Sequence, residues 1–157
     1  MAVFISHRTA DDKAARLIYD MLTARGIKCY IDDLDSALKT TDDVTRIILE
    51  RLDQCSHLLA VVSVQTAGSW WVPFEIGVGT VTDRRIASYN IGYTQLPHYL
   101  LKWPVLKSSS DLEQFARFYK DDKSVLLQEG YPSSARTASV QKADDFHRLL
   151  KNAIGQR

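Results

Sequence analysis

Short, continuously apolar runs take turns along this chain with segments whose apolar residues recur every three or four positions. Ala2-Val3-Phe4-Ile5-Ser6 is bounded by polar residues and reads as a strand buried on both faces. Thr9, three residues before Asp12, is placed to cap a helix whose Ala14, Leu17, Ile18, Met21 and Leu22 form one stripe. Gly26 stands where that helix needs a left-handed residue to close. Residues 27–32 (Ile-Lys-Cys-Tyr-Ile-Asp) then read as a second strand. A polar connection, 33–41, leads to a helix with Val44, Ile47, Ile48 and Leu52 on one side, capped by Asp42 or Asp43. His57 to Ser63 is the most strand-like run and suits the centre of a sheet. A short helix is expected from about Trp70 to Val81, with Pro73 in its first turn. Strands follow at 85–91 and 103–106, where Pro104 suits an edge. A helix opens at Ser110 or Asp111 and carries Leu112, Phe115, Ala116 and Tyr119. Residues 128–139 read as a loop, and 140–154 as a closing helix.

Strands regularly separated by helices imply a parallel sheet with helices on both faces, joined by right-handed crossovers. The expected class is α/β, a flavodoxin-like three-layer fold with five parallel strands in the order 2-1-3-4-5. At 157 residues the chain is expected to form a single domain, 1–157.

Composition narrows the function. Twenty Lys and Arg against nineteen Asp and Glu give a net charge of +1, without the basic footprint of a nucleic-acid binder. The longest mostly apolar run, Leu58 to Val64, is too short to cross a bilayer, and no leader pattern follows Met1. A cytoplasmic protein bound to neither membrane nor nucleic acid is expected. Cys29 and Cys55 lie in apolar stretches with no partner at metal-ligand spacing, which predicts buried, reduced thiols and no metal.

In an open parallel sheet, ligands gather beyond the carboxyl ends of the strands where their order reverses. For order 2-1-3-4-5 that point receives Ser6, His7 and Arg8 from strand one and residues 63–75 from strand three, with the loop 33–41 able to cover them. Phosphate-gripping glycine loops and a nucleophile elbow are absent from these places. A phosphoacceptor receiver would want acidic residues where this chain has Ser6 and Ser63. Strand three delivers instead Gly68-Ser69-Trp70-Trp71-Val72-Pro73-Phe74-Glu75-Ile76-Gly77. Glu75 follows Trp71 by four residues, so the two share a helical face. An acid beside Trp71, Pro73 and Phe74 sits in partly apolar surroundings, which tend to raise a carboxyl pKa.

These segments resemble a Toll/interleukin-1 receptor (TIR) domain over nearly the whole length. Phe4-Ile5-Ser6-His7 is similar to the family's first-strand box. Residues 26–32 and the loop after them resemble its second strand and BB loop, although Ala37-Leu38-Lys39 replaces the usual glycine. Leu58 to Ser63, then Ser69, Trp71 and Glu75, resemble its third strand and S-x-W-x-x-x-E box. Many TIR domains, bacterial ones especially, cleave NAD+ between nicotinamide and ribose, and the resemblance gives Glu75 the catalytic role. It further implies substrate contacts from Arg8 and His7 to pyrophosphate or ribose and from Ser6 beside them. Trp71 would stack on a ring or wall the pocket, and Asp33 and Lys39 would act from the covering loop. Phe4 either flanks the cleft or belongs to the core. NAD+ would be the substrate, with no separate cofactor.

The product would be ADP-ribose, free, cyclised or conjugated. Self-association between TIR domains and a separate effector or activator protein are the implied partners. A Thoeris-type anti-phage system is the nearest analogy. Two other readings stand beside this one: a non-catalytic TIR scaffold, and an enzyme like the nucleoside 2-deoxyribosyltransferases, whose E-I-G-like helix Phe74-Glu75-Ile76-Gly77 resembles.

Overall fold

The computed structural model describes residues 1–31, 46, 49–68, 71–128 and 136–156. Five strands, β1 (Val3–Ser6), β2 (Cys29–Ile31), β3 (His57–Val62), β4 (Arg85–Asn90) and β5 (Val105–Leu106), form one sheet in the order β2-β1-β3-β4-β5. Every pairing is parallel, with Phe4 beside Tyr30 and Leu58, and Leu58 beside Ile86. The expected class and strand order are both found. Among the described residues, the helices α1 (Asp12–Thr23), α2 (Trp71–Val81), α3 (Ser109–Gln128) and α4 (Arg136–Ala153) accompany the sheet.

Successive residues of β1 and β3 feed opposite cores, as the pleat requires. Val3, Ile5, Leu59 and Val61 pack with Ile18, Leu22, Leu112, Phe115, Phe146 and Leu150 from α1, α3 and α4. Ala2, Phe4, Leu58, Ala60 and Val62 pack with Val72 and Ile76 of α2, and with Leu52, Leu100 and Trp103. A strand covered on both sides needs apolar residues at every position, which is why β1 and β3 lack a hydrophobic-polar rhythm.

Local chemistry explains most boundaries and several departures. Gly26, at φ +75°, closes α1, with its N–H on the Thr23 carbonyl and the Ile27 N–H on Leu22. Thr9 does not cap α1; it lies in a 3-10 turn, Thr9–Asp11, and the helix starts at Asp12. Asp11 occupies the cap position but makes no capping bond, because its carboxylate is engaged elsewhere. The buried face of α1 is Ala15, Ile18 and Leu22, rotated from the expected stripe so that Leu17 is 58% exposed. Strand β2 is shorter than 27–32, and β5 is reduced to Val105–Leu106, with Pro104 outside it accepting from Ser88 N–H. The closing helix begins at Arg136, inside the expected loop, since Arg136-Thr137-Ala138-Ser139 contains no helix breaker. The stripe residues Val44, Ile47 and Ile48 lie outside the described residues, whereas Leu52 sits in a helical segment, 49–53, and is buried.

At the outer edge, Val105 N–H donates to Gln156 Oε1 at 3.0 Å, and the same amide returns a bond to the Val105 carbonyl. One side chain thereby blunts the open edge of β5. Both cysteines are buried and free. Burial pushes the Cys29 thiol up to about 12 and Cys55 up to about 11, which keeps both protonated and unreactive. Among the described residues no helix is long and apolar enough to cross a membrane.

Candidate functional site

The carboxyl ends of β1 and β3 lie side by side, Ser6 opposite Ala60, and the order reverses there. Three segments meet at this edge: the β1–α1 connection, the turn after β3, and the first turns of α2. The pleat sends Ser6 to the same sheet face as Phe4, Leu58 and Ala60, the face that α2 covers.

On α2 the buried positions are Val72, Glu75, Ile76 and Gly79, a helical face turned toward the sheet. Phe74 is 39% exposed, whereas Val72 and Ile76 share the buried face of α2 with Glu75. Glu75 itself has 0% exposure. It is not a solvated helix position. Pro73 falls in the first turn of α2, where its missing N–H costs nothing. A cleft of about 80 Å³ beside this helix is lined by Thr66, Val72, Ile76, Leu96, Tyr99 and Leu100 among others, and Glu75 is not part of that lining.

The residues of β1 split between the two sheet faces. Ser6 is fully buried, and its hydroxyl has no hydrogen-bond partner among the described residues. Phe4 is a core residue with no exposed surface. His7 turns to the α1 side, where its Nε2 lies 3.3 Å from Asp12 Oδ1. The Arg16 hydrogen bond is the main reason the Asp12 carboxyl is held below its usual range, with His7 adding a smaller pull. The Arg8 guanidinium donates to the backbone carbonyl of Gln65, tying the β1 tip to the turn after β3. Trp71 is the first residue of α2, and its side chain is outside the described set, as are Asp33 and Lys39 altogether.

Sequence reasoning missed a hydroxyl–carboxylate network at this same edge. Asp11 is 8% exposed, and its Oδ2 accepts from Ser63 Oγ at 2.8 Å and Thr66 Oγ1 at 3.4 Å. Ser63 N–H donates to Thr66 Oγ1 at 2.9 Å, and Gln65 N–H to Ser63 Oγ at 3.1 Å. The Ser63-x-x-Thr66 spacing hinted at such a turn, but nothing local in the chain links it to a residue 52 positions earlier.

The other histidines lie elsewhere. His57 and His147 are buried at or near the starts of β3 and β4, and His98 is exposed. No cluster of three His, Cys, Asp or Glu side chains with metal-ligand geometry occurs among the described residues.

Comparison with known proteins gives two findings. The family profile described as TIR domain matches residues 3–102. Among solved structures, the TIR domain of a Toll-related receptor from Hydra magnipapillata superposes with a TM-score of 0.59 at 15% identity, covering 76% of this chain and 95% of that one. A TIR-STING receptor from C. gigas superposes at 0.54 and 20% identity, covering 73% of this chain but only 38% of the receptor. At such identities the likeness concerns the fold. No curated protein sequence matches.

Proposed function

Because this chain belongs to the TIR domain family, we propose that it is an enzyme that cleaves the bond between nicotinamide and ribose in NAD+, with Glu75 as its catalytic carboxylate. One observation carries the reading: Glu75 is wholly buried on the inner face of α2, beside the strand ends where the sheet order reverses. An acid placed for solubility would face outward, as Phe74 does. An acidic side chain kept inside at this place suits a site in which positive charge develops.

The chemistry needs little else. The C–N bond breaks with its electron pair going to the pyridinium nitrogen, so nicotinamide departs neutral and requires no general acid. Positive charge develops on the ribose, and a fixed carboxylate stabilises it in a site of low dielectric. Water, or a hydroxyl or ring nitrogen of an acceptor, then bonds to the anomeric carbon and loses a proton, giving free, conjugated or cyclised ADP-ribose. Ser6, unpartnered and on the α2 side of the sheet, supplies a hydroxyl for the ribose. Arg8 and His7, at and just past the β1 tip, are the side chains proposed for the pyrophosphate or ribose. Phe4 backs the site from the core, and Trp71, Asp33 and Lys39 are proposed as further substrate contacts on the resemblance alone. Self-association and a separate effector or activator protein, as in an anti-phage signalling pair, complete the reading.

Purified protein, free and crowded on beads, is incubated with NAD+, and nicotinamide is measured with the products identified by mass spectrometry. Glu75→Gln is expected to lower the rate by about 100-fold or more with its circular dichroism unchanged, while Asp145→Asn on α4 leaves it intact. Wild-type protein that assembles on beads yet leaves NAD+ untouched overturns the enzyme in favour of a scaffold. Base exchange on a deoxynucleoside without NAD+ overturns it in favour of a deoxyribosyltransferase.

A further inference from the structure

The turn after β3 is tied by three hydrogen bonds to two residues of the β1–α1 connection. Asp11 takes the hydroxyls of Ser63 and Thr66, and Arg8 takes the Gln65 carbonyl. Within the turn, Thr66 N–H donates to the Ser63 carbonyl at 3.0 Å, and the N–H groups of Ser63 and Gln65 are bonded to the same hydroxyls that Asp11 holds. The turn is closed on itself and clamped from outside.

Its outer wall is the active helix. Thr66 lines one cleft together with Val72 and Ile76, the residues that flank Glu75 on the inner face of α2. The helix that carries Glu75 starts at Trp71, five residues after Thr66, so the turn sets where that helix begins. Asp11 is also an expensive way to build a brace. It is nearly buried, and no cation pairs with it among the described residues, since Arg8 is spent on a carbonyl. What a carboxylate offers there is two charge-assisted hydrogen bonds from one group, each about twice as strong as a neutral one, and hence a stiffer clamp than an amide or hydroxyl could make.

We infer that Asp11 is a positioning residue for the NAD+-cleaving site: through Ser63 and Thr66 it holds the first turns of α2, and with them Glu75, in register with the tip of β1. The inference rests on the function proposed above. It acts on the chemical step, because misplacing a catalytic group by about 1 Å can cost about 100-fold in rate. It leaves substrate binding largely to other residues.

The test compares Asp11→Ala, Asp11→Asn, Thr66→Val and the Asp11→Ala/Thr66→Val pair by nicotinamide release and by amide hydrogen exchange. Asp11→Ala is expected to lower kcat by about 100-fold while KM stays within about threefold. Asp11→Asn keeps an acceptor oxygen and recovers at least about tenfold of that loss. The double variant costs no more than Asp11→Ala, because both changes cut the same connection. Exchange is expected to accelerate over residues 63–75 and to stay unchanged in β4. Normal kcat in Asp11→Ala despite faster exchange, or losses that multiply in the double variant, would overturn the inference and leave Asp11 as a brace of the fold alone. Wild-type protein inert toward NAD+ removes the proposed reaction and this catalytic role with it. Exchange still reports in that case whether Asp11 clamps the turn, and an unchanged pattern over 63–75 refutes the coupling itself.

Discussion

Gly79 lies where α2 crosses the sheet, and a methyl group there would come within 3.0 Å of Leu58 Cδ2 and 3.5 Å of Ile86 Cδ1. Leu58 and Ile86 are buried core residues with little room to yield. Gly77, two residues earlier and on the outer face, would meet nothing within 4 Å. The two glycines should therefore respond in opposite directions in urea denaturation. Gly77→Ala is expected to add about 0.5–1 kcal/mol through helix propensity, and Gly79→Val to cost about 1–3 kcal/mol through overpacking. The same contrast shows what a residue's letter can convey. Glu75 stood out because it follows β3, shares a helical face with Trp71 and lies in a stretch that resembles the TIR box. Asp11 was not, because its two hydroxyl partners come from a turn far along the chain, and in isolation it reads as an ordinary helix cap.

At the scale of elements, β4 shows how a helix completes a strand. Strand β5 pairs only with Ser88 and Tyr89, so the Ile86 N–H on that side has no strand partner. His147 of α4 fills the gap, its Nε2 accepting from Ile86 N–H at 2.8 Å. The bond requires a neutral ring. Burial first, and then Arg85, Lys102 and Lys151, push the His147 pKa down to about 4. His57 is pushed well below its ordinary value by burial and then by Arg85, among the rings of Phe115, Tyr119 and Phe146. Unfolded histidines titrate near 6.5, so between pH 6.5 and 4 the unfolded chain binds more protons than the folded one. Stability from these rings is full above that window and is lost as the pH falls through it. Asp122, paired with Arg85 and raised by burial, contributes with the opposite sign and offsets part of the loss. Denaturation between pH 7 and 4.5 is expected to show a fall on the order of 2 kcal/mol. His147→Gln, whose amide oxygen can take the Ile86 N–H, is expected to make that limb shallower. Element existence was readable from apolar spacing, but the lengths of β2, β5 and α4 were not. They depend on which backbone groups find partners in other elements.

On the scale of the whole molecule, segments beyond the matched residues 3–102 cover one face of the sheet together with α1. Phe115 and Tyr119 of α3, with Phe146 and Leu150 of α4, cover β1, β3 and β4. Removing residues 136–157 would uncover Phe115 and Leu106 and delete the His147 and Gln156 bonds. At about 1.5–3 kcal/mol for each large apolar side chain, that loss approaches the whole stability of an ordinary domain. The truncated chain is expected to lose its cooperative thermal transition and bind a hydrophobic dye, whereas the full chain melts in one step.

The sequence by itself determined the parallel α/β architecture, the strand order and the family, because buried strands, amphipathic helices and their succession are local patterns with few compatible topologies. It also placed Glu75 on the helix after β3, where the resemblance marked it. Folding alone reveals that Glu75 is fully buried on α2, that Arg8 donates to a carbonyl, and that Asp11 binds the turn after β3. Those facts depend on which side chains meet across the reversal of strand order, and segments more than fifty residues apart carry no mark of each other until the chain has folded.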